Sequence, residues 1–153
     1  MYSTSIVPLM LVSATDSKSF FDQFFQEGLN AIPDPALTLR SSANFVFLKD
    51  AEGAIRGGAL VQFTFDVAAL DVLWVSEKLR RKGYGAQLYR EVEQLALRKG
   101  MRRTIVSTFE FQSAIGFWLQ MGFEKFAELD DYPPGSHLVY LQKKFSKSAT
   151  QSS

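Results

Sequence analysis

The sequence predicts an α/β (α+β) fold, in which helices cover both faces of a mixed sheet within a single domain. Its length of 153 residues suits one domain with one hydrophobic core. Apolar residues make up 46% of the chain and charged residues 22%, which are ordinary values for a globular protein. The apolar residues alternate in some segments and recur at helical spacing in others. These patterns predict, in chain order, a strand, a helix, three strands, a helix, a strand, a helix and two strands.

The first half of the chain contains four predicted strands and one predicted helix. Residues 3–13 are apolar enough for a buried strand, and the phenylalanines within residues 20–25 recur at the spacing of a helix that Thr15 or Asp16 can cap. The paired glycines at 57–58 indicate a bulge or bend in the third strand. The other predicted segments are a loop at 30–43, strands at 44–49, 54–65 and 68–75, and a tight turn at 50–53.

The second half contributes two helices and three strands. Leu88, Val92, Leu95 and Ala96 mark the buried face of a helix over residues 84–99, and Gly100 is placed to end it. The remaining predicted segments are a strand at 104–109, a helix at 112–121, a strand at 123–129, a turn at 132–135 and a strand at 138–145.

Composition and charge argue against several classes of function. The net charge of +1 provides no basic surface for a nucleic-acid backbone. The absence of cysteine excludes disulfides, thiolate nucleophiles and thiolate metal sites, and it favours a reducing, cytoplasmic location. Because His137 is the single histidine, a metal site built on several imidazoles is excluded, and no metal is expected.

The first residues of the chain predict a buried strand rather than a signal peptide. No lysine or arginine precedes the apolar residues 6–12, so a signal peptide is not expected. No apolar run approaches the length of a membrane span, so no membrane partner is expected. We expect one domain over residues 1–145, followed by a disordered polar tail at 146–153.

The junction between strand 68–75 and helix 84–99 has the residues of an anion site. A strand leads into a glycine-containing loop that opens a helix, and the backbone N–H groups at a helix N-terminus are free to bind an anion. Gly83 and Gly85 allow positive φ and a close approach of phosphate oxygens. The cationic side chains next to them are Arg80, Arg81 and Lys82.

Two other kinds of phosphate loop fit this segment poorly. The Walker pattern G-x-x-x-x-G-K-[ST] does not occur in the chain. The dinucleotide pattern G-x-G-x-x-G begins at Gly83 and Gly85, but Leu88 stands at the third glycine position, and no acidic residue ends a following strand. A plain strand-to-helix turn with an exposed basic face stays open as an alternative.

The segment 75–85, V-S-E-K-L-R-R-K-G-Y-G, resembles the acyl-CoA signature Q/R-x-x-G-x-G/A of the GNAT superfamily of N-acetyltransferases. Arg80, Gly83 and Gly85 satisfy that signature. Three further runs are similar to one GNAT subfamily and occur in the same order. They are T-F-E-F-Q at 108–112, G-F at 122–123 and D-Y-P-P-G at 131–135. The resemblance covers about residues 70–145 and is weak over the first forty residues.

The resemblance implies a GNAT-like sheet of about seven strands, mostly antiparallel, with a splayed central pair. The pantetheine of acetyl-CoA would lie between the splayed strands and bond the main chain of residues 73–75. Its pyrophosphate would lie against the N–H groups of residues 81–86, at the N-terminus of the following helix. The residues implied to bind acetyl-CoA are Leu73, Trp74, Val75, Arg80, Arg81, Lys82, Gly83, Tyr84, Gly85, Ala86, Gln112, Phe117 and Trp118.

The resemblance also implies direct attack of a substrate amine on the thioester, which suits a chain without cysteine. Asp71 or Glu110 is implied as the base that removes the proton from the amine. The backbone N–H of Val75 is implied to stabilise the oxyanion. Trp118 stands where many members have the tyrosine that protonates the leaving thiolate, and an indole cannot act as that acid. Water or Tyr132 is the alternative source of the proton.

These observations predict an acetyl-CoA-dependent N-acetyltransferase acting on a primary amine of a small molecule or peptide. A CoA-binding sensor with weak or no catalysis is the alternative, and Trp118 is the residue that favours it. The acceptor site would be built from residues 20–45 and 130–140, where aromatic side chains favour an acceptor without strong charge. Neither nucleic acid nor a membrane is expected as a partner, and a homodimer stays open.

Overall fold

The computed structural model of the protein describes residues 42–146. The predicted strand at 3–13, the predicted helix with its phenylalanines, most of the loop at 30–43 and most of the predicted tail at 146–153 lie outside this range. The strands are β1 (Ser42–Lys49), β2 (Ile55–Thr64), β3 (Val67–Val75), β4 (Arg103–Phe109), β5 (Glu124–Asp130) and β6 (His137–Lys144). The helices are α1 (Tyr84–Arg98) and α2 (Ile115–Gln120), with short 3₁₀ turns at Glu77–Leu79 and Glu110–Gln112.

The six described strands form one sheet in the order β1-β2-β3-β4-β6-β5. Every neighbouring pair is antiparallel except β3 and β4, which are parallel and connected through α1. A parallel pair needs a long crossover, and a helix is the usual way to provide it. The prediction of a mixed, mostly antiparallel sheet is therefore confirmed. The predicted count of about seven strands exceeds the six described here by one.

A turn stabilised by a carboxylate joins β1 to β2. The Asp50 Oδ1 atom accepts hydrogen bonds from the N–H groups of Glu52 (3.1 Å) and Ala54 (2.8 Å). Its Oδ2 atom lies 2.7 Å from Nε of Arg56. Gly53 has φ of +85°, a left-handed conformation that favours glycine. The prediction of a tight turn at residues 50–53 agrees with this geometry.

The bulge predicted at glycines 57–58 lies one residue earlier in the chain. The pairing of β1 with β2 passes from Leu48↔Gly57 to Lys49↔Ile55, so Arg56 is the extra residue. Gly57 has a different reason to be glycine. A Cβ there would lie 2.8 Å from the carbonyl oxygen of Trp74, which is closer than real contacts allow.

The hydrophobic core lies between the sheet and α1. Leu88, Tyr89, Val92 and Ala96 are the buried residues of α1, at the spacing of one helical face. Tyr89, Val92 and Ala96 share one core cluster with the alternating buried residues of β2, which are Ala59, Val61 and Phe63. The helix ends where the sequence predicts, because Gly100 adopts φ of +75° directly after the last turn.

Helix α2 packs on the same side of the sheet as α1. The Trp118 ring meets the rings of Tyr89 and Phe123 edge-on, with centroids 5.7 and 5.0 Å apart. The prediction of one helix over residues 112–121 is wrong in its first part. Ser113 has φ of +56°, and this left-handed residue separates a 3₁₀ turn from α2. Because both described helices share one face, helices on both faces stay a prediction.

No helix within residues 42–146 combines the length and the apolarity needed to cross a bilayer.

Candidate active site

Strands β3 and β4 separate after a short paired region and leave an open slot. They pair only through Val67↔Arg103, Ala68↔Thr104 and Ala69↔Ile105. Beyond these pairs the strands diverge around a cavity of about 710 Å³. Residues lining this slot are Leu70, Asp71, Val72, Leu73, Trp74, Val75, Arg80, Gly85, Val106, Ser107, Thr108, Gln112, Ala114, Phe117 and Trp118. The expected splayed central pair is therefore present.

A β-bulge in β3 lies where the two strands begin to separate. The pairing of β2 with β3 passes from Val61↔Leu70 to Leu60↔Val72, so Asp71 is the extra residue. Asp71 and Val72 are consecutive and both exposed, which regular alternation would not allow. The side-chain amide of Gln62 donates a hydrogen bond to the Asp71 carboxylate.

The main chain of β3 offers polar groups to the slot at alternate residues. The N–H of Ser76 donates to the carbonyl oxygen of Arg56 on β2, at 2.8 Å. Because backbone groups alternate in direction along a strand, those of Trp74 also face β2, whereas those of Leu73 and Val75 face the slot. The pantetheine bonding expected for residues 73–75 stays a prediction, and the strand geometry allows it for Leu73 and Val75. The Trp74 side chain still lines the slot.

The carbonyl oxygen of Val75 has a side-chain partner at the end of the slot. Arg80 Nε donates to this oxygen at 3.0 Å. The bond keeps the aliphatic part of Arg80 against the slot, where it is one of the lining residues. The two other predicted cations, Arg81 and Lys82, are exposed and do not line the cavity.

The loop before α1 is exposed and has left-handed residues. Arg81 and Gly83 have φ of +60° and +85°, and left-handed residues in such a loop form concave anion-binding turns. The first helical hydrogen bond runs from the Gln87 N–H to the Gly83 carbonyl, at 3.1 Å. Among the described residues, no acceptor is recorded for the N–H groups of 81–86. Residues 81–83 are exposed and 84–86 half-buried, so a ligand can reach this segment.

The two glycines of the signature have different roles in the backbone. Gly83 has the positive φ that the sequence predicts, but the same expectation for Gly85 is wrong, because Gly85 lies in the first turn of α1. A Cβ at Gly85 would lie 3.6 Å from Cε2 of Phe117, an ordinary contact distance. The lack of a side chain at Gly85 therefore leaves room in the slot rather than serving backbone geometry.

The opposite wall of the slot is fixed by the side chain of Gln112. Its Oε1 atom accepts hydrogen bonds from the Thr108 hydroxyl and from the Phe109 N–H, both at 3.1 Å. These bonds join the end of β4 to the 3₁₀ turn that follows it. Gln112 thus holds Thr108 and the backbone beside it in position at the slot.

Phe117 and Trp118 belong both to the core and to the slot. Trp118 is only 6% exposed, and its ring meets that of Phe117 edge-on at 4.8 Å between centroids. Both residues line the cavity. Core packing and contact with a ligand in the slot are therefore compatible for the same two side chains.

A tyrosine that the sequence analysis did not consider lies behind Trp118. Tyr89 is fully buried, and burial, followed by the charge of Glu93, raises the pKa of its phenol well above the usual range. The Tyr89 hydroxyl therefore stays protonated. Tyr89 does not line the slot, so it cannot take the role of the tyrosine that the resemblance expects at the position of Trp118.

Two predicted catalytic residues lie outside the lining of the slot. Glu110 follows β4, and its Oε2 atom is 3.9 Å from Nε2 of His137. The other ring nitrogen of His137, Nδ1, lies 2.9 Å from Oδ1 of Asp130. Tyr132 is half exposed, with its ring centroid 5.9 Å from that of Phe109. The predicted residues Arg81, Lys82, Gly83, Tyr84 and Ala86 lie at the loop and helix start without lining the cavity.

Sequence reasoning missed several residues of the slot. Most are small or apolar residues of β3 and β4 with no chemical signal of their own. Thr108 could have been found, because it begins the T-F-E-F-Q run. The unpredicted lining residues are Leu70, Val72, Val106, Ser107, Thr108 and Ala114. In the described part of the chain, no three histidine, aspartate or glutamate side chains are arranged to hold a metal ion.

Proteins of known structure share this fold. An acetyltransferase from Bacillus cereus ATCC 14579 superposes with a TM-score of 0.77 at 26% identity, over 90% of this chain and 96% of that one. A Bacillus anthracis protein described as a streptothricin acetyltransferase was solved in complex with acetyl coenzyme A. It superposes with a TM-score of 0.63 at 17% identity, over 74% of this chain and 65% of that one, which shows the fold alone.

Sequence comparison agrees with the fold. A blasticidin-S acetyltransferase from Streptomyces morookaense is 34% identical over 90 residues, which are 57% of this chain. The match spans 65% of that relative's length, slightly less than two thirds. The model of the acetyltransferase (GNAT) family matches residues 11–123, well over half of the chain. The chain belongs to the acetyltransferase (GNAT) family.

Proposed function

We propose that the protein is an acetyl-CoA-dependent N-acetyltransferase that acetylates a primary amine of a small molecule or peptide. The observation that carries this proposal is the slot between β3 and β4, whose mouth at Arg80 and Gly85 adjoins the segment 81–86, where the N–H groups have no acceptor among the described residues. A slot without such a mouth would fit many ligands. A slot with N–H groups at one end fits a long ligand that carries a diphosphate.

The donor fits the residues that are present. Leu73 and Val75 turn main-chain groups into the slot, where amides of a pantetheine arm can bond as an added strand would. The N–H groups at the start of α1 and the exposed Arg81 and Lys82 provide positive potential for the diphosphate. Gly85 keeps the passage between them open.

Asp71 is the candidate base that the geometry favours over Glu110. It lines the slot at the bulge, whereas Glu110 lies outside the lining and faces His137. In the reaction, the amine nitrogen forms a bond to the acyl carbon while the carbon–sulfur bond breaks. Asp71 would take the proton from the ammonium, directly or through water. The thiolate would be protonated by water, since the indole of Trp118 cannot release a proton and Tyr132 lies outside the lining of the slot.

The second candidate function is a CoA-binding sensor that does not turn over. Trp118 favours it, because an indole N–H does not titrate and cannot protonate a thiolate. Both functions require donor binding, but only the enzyme requires thiol release.

Two measurements test the proposal. Calorimetry with acetyl-CoA tests binding, and release of CoA thiol in the presence of primary amines tests catalysis. A thiol reagent gives a low background here, because the protein has no cysteine. Failure to bind acetyl-CoA would contradict both functions, whereas binding without thiol release for any amine would support the sensor.

A further inference from the structure

The side-chain oxygen and the side-chain nitrogen of Gln112 have different surroundings. Its Oε1 atom accepts two hydrogen bonds, and one of them comes from the N–H of Phe109 at 3.1 Å. A backbone N–H can only donate, so the oxygen of the amide group must face Phe109 and the nitrogen must face away from it. The orientation of this amide therefore follows from the chemistry of its partner.

The nitrogen of the same amide keeps its two N–H donors for other partners. Among residues 42–146, no acceptor is recorded for Nε2 of Gln112, and both recorded bonds of this side chain end at Oε1. The residue is exposed and is one of those that line the slot. Because the oxygen is turned toward β4, the nitrogen is the polar atom that this side chain can offer to a ligand in the slot.

Gln112 stands opposite the part of β3 that turns main-chain groups into the slot. The last pair between β3 and β4 is Ala69↔Ile105. Thr108 is three residues beyond Ile105, and the corresponding residue of β3 is Leu73 when the extra residue of the bulge is counted. The Gln112 side chain bonds to Thr108, so it lies level with Leu73 on the other side of the slot.

A pantetheine arm in the slot has polar groups on both of its edges. The N–H and the C=O of a trans amide point in opposite directions. An amide that donates its N–H to the main chain of Leu73 or Val75 therefore directs its carbonyl oxygen toward β4. Such a carbonyl leaves water on binding, and without a new donor this costs binding free energy.

Gln112 provides a donor on the β4 side at this level. The N–H of Phe109 and the hydroxyl of Thr108 both donate to Oε1 of Gln112, so these two donors are already engaged. The Gln112 side chain takes up both of them and offers its own Nε2 to the slot. The wall opposite β3 can thus donate a hydrogen bond although its nearest main-chain donor is occupied.

We propose that Gln112 recognises the donor substrate, with its Nε2 atom donating a hydrogen bond to an amide carbonyl of the pantetheine arm on the edge that faces β4. This inference deepens the proposed function and rests on it. The arm is then bound from both sides, by the main chain of Leu73 and Val75 and by the side chain of Gln112. A thioester without such an amide lacks this bond, so Gln112 favours thioesters that are carried on pantetheine.

Gln112→Glu separates donor recognition from the role of Gln112 in holding the wall of the slot. A carboxylate accepts the bonds from Phe109 and Thr108 as the amide does, but it has no N–H to donate. Gln112→Met has a side chain of similar length that can neither accept these bonds nor donate. We expect both variants to bind acetyl-CoA at least about tenfold more weakly in calorimetry, the loss expected for an unpaired amide carbonyl. If Gln112 only holds the wall, Gln112→Glu binds like wild type and Gln112→Met alone loses affinity.

The negative charge that Gln112→Glu introduces needs its own controls. Gln120→Glu makes the same substitution at an exposed residue of α2 that does not line the slot, and it should bind acetyl-CoA like wild type. S-acetylpantetheine carries the amides of the arm but no phosphate, so its affinity for Gln112→Glu should fall about tenfold as well. A loss that occurs with acetyl-CoA alone would be charge repulsion and would overturn the inference. Tryptophan fluorescence follows the titration, because Trp74 and Trp118 both line the slot.

Binding to wild type decides separately about the proposed function. If wild type does not bind acetyl-CoA, the proposed function fails, and the inference fails with it. If wild type binds and Gln112→Glu binds equally well, the inference is overturned and the proposed function stands. Thermal melting confirms that the variants fold. We expect Gln112→Glu to melt like wild type because it keeps both bonds to β4, so the comparison of these two proteins decides even if Gln112→Met is unstable.

Discussion

The Asp71 carboxylate is held by the side-chain amide of Gln62, a residue of the neighbouring strand β2. Asp71 is also the extra residue of the bulge in β3. Its side chain lies on the exposed face of the strand, and the hydrogen bond fixes it there. A carboxylate at the point where β3 and β4 separate is thus both exposed and oriented.

Asp71→Asn should reduce kcat about 10²- to 10⁴-fold, the range that a general base contributes. The amide keeps the size of the side chain and can still bond to Gln62, so acetyl-CoA affinity should not change. Steady-state kinetics and calorimetry measure the two effects. Glu110→Gln should have a much smaller effect on kcat. An equal or larger loss in Glu110→Gln would show that Glu110 is the base.

Gly85→Ala should weaken acetyl-CoA binding about tenfold or more without destabilising the fold. The new methyl group meets Phe117 at an ordinary distance, but it projects into the slot. In a helix, alanine in place of glycine stabilises by roughly 0.5–1 kcal/mol. Calorimetry and urea unfolding provide the two readouts.

Gly116→Ala is the matched control for this prediction. Gly116 is the second residue of α2, as Gly85 is the second residue of α1, and open space surrounds the position of its Cβ. We expect the same gain in stability with no change in affinity. If Gly85→Ala binds acetyl-CoA as well as Gly116→Ala does, the donor does not pass Gly85.

Trp118→Tyr should raise kcat about tenfold or more, within the range known for general acids, if protonation of the thiolate limits turnover. The phenol can donate a proton that the indole cannot. Trp118→Phe is the control, because it makes a similar change in packing against Tyr89 and Phe123 without adding a hydroxyl. Thiol release under saturating acetyl-CoA is the measurement. Equal rates in the two variants would indicate that the proton comes from elsewhere.

Asp50→Asn should reduce the free energy of unfolding at neutral pH, and it should also reduce how much this free energy falls on acidification. The hydrogen bond from Arg56, followed by that from the Ala54 N–H, holds the pKa of Asp50 below its usual range. A depressed pKa in the folded state means that the carboxylate stabilises the protein above about pH 4, and that this contribution is lost as the pH falls through the folded-state pKa.

Urea midpoints at pH 7 and pH 3 measure this effect. Wild type should lose more stability than Asp50→Asn between the two values. Glu52→Gln, an exposed neighbour in the same turn, should behave like wild type. If the urea midpoints of wild type and Asp50→Asn fall by the same amount between the two pH values, the carboxylate of Asp50 does not stabilise the turn.

Much of the fold within residues 42–146 was predictable from the sequence, because its elements follow local rules. Helix α1 begins after Gly83 and ends before Gly100, and the alternation of Val61 and Phe63 reveals the buried face of β2. The bulge at Asp71 was not predictable, because residues 68–75 are almost continuously apolar and predict one uninterrupted strand. A bulge is defined by its partner strand, and sequence alone does not give the register.

The candidate site was predictable where a motif fixes the backbone and less so elsewhere. The loop before α1 is open to solvent as the signature implies, with Gly83 in a left-handed conformation. The left-handed conformation of Arg81 was not predictable, because arginine has no preference for that conformation. Tyr132 and Glu110 lie outside the slot, since their positions depend on how the segments after β4 and β5 turn.

The single extra residue in β3 restricts which insertions and deletions this protein can accept. Before Asp71 the buried side chains of β3 are Ala68 and Leu70, and after it the inward positions are Leu73 and Val75. Losing Asp71 itself would leave a regular ladder, because Leu70 and Val72 already pair with the consecutive residues Val61 and Leu60. Losing Leu73 instead would exchange the two faces beyond the deletion and turn Trp74 into the interior. Deletions in β3 should therefore be tolerated at the bulge and rare after it, a pattern that natural variants of this protein would reveal.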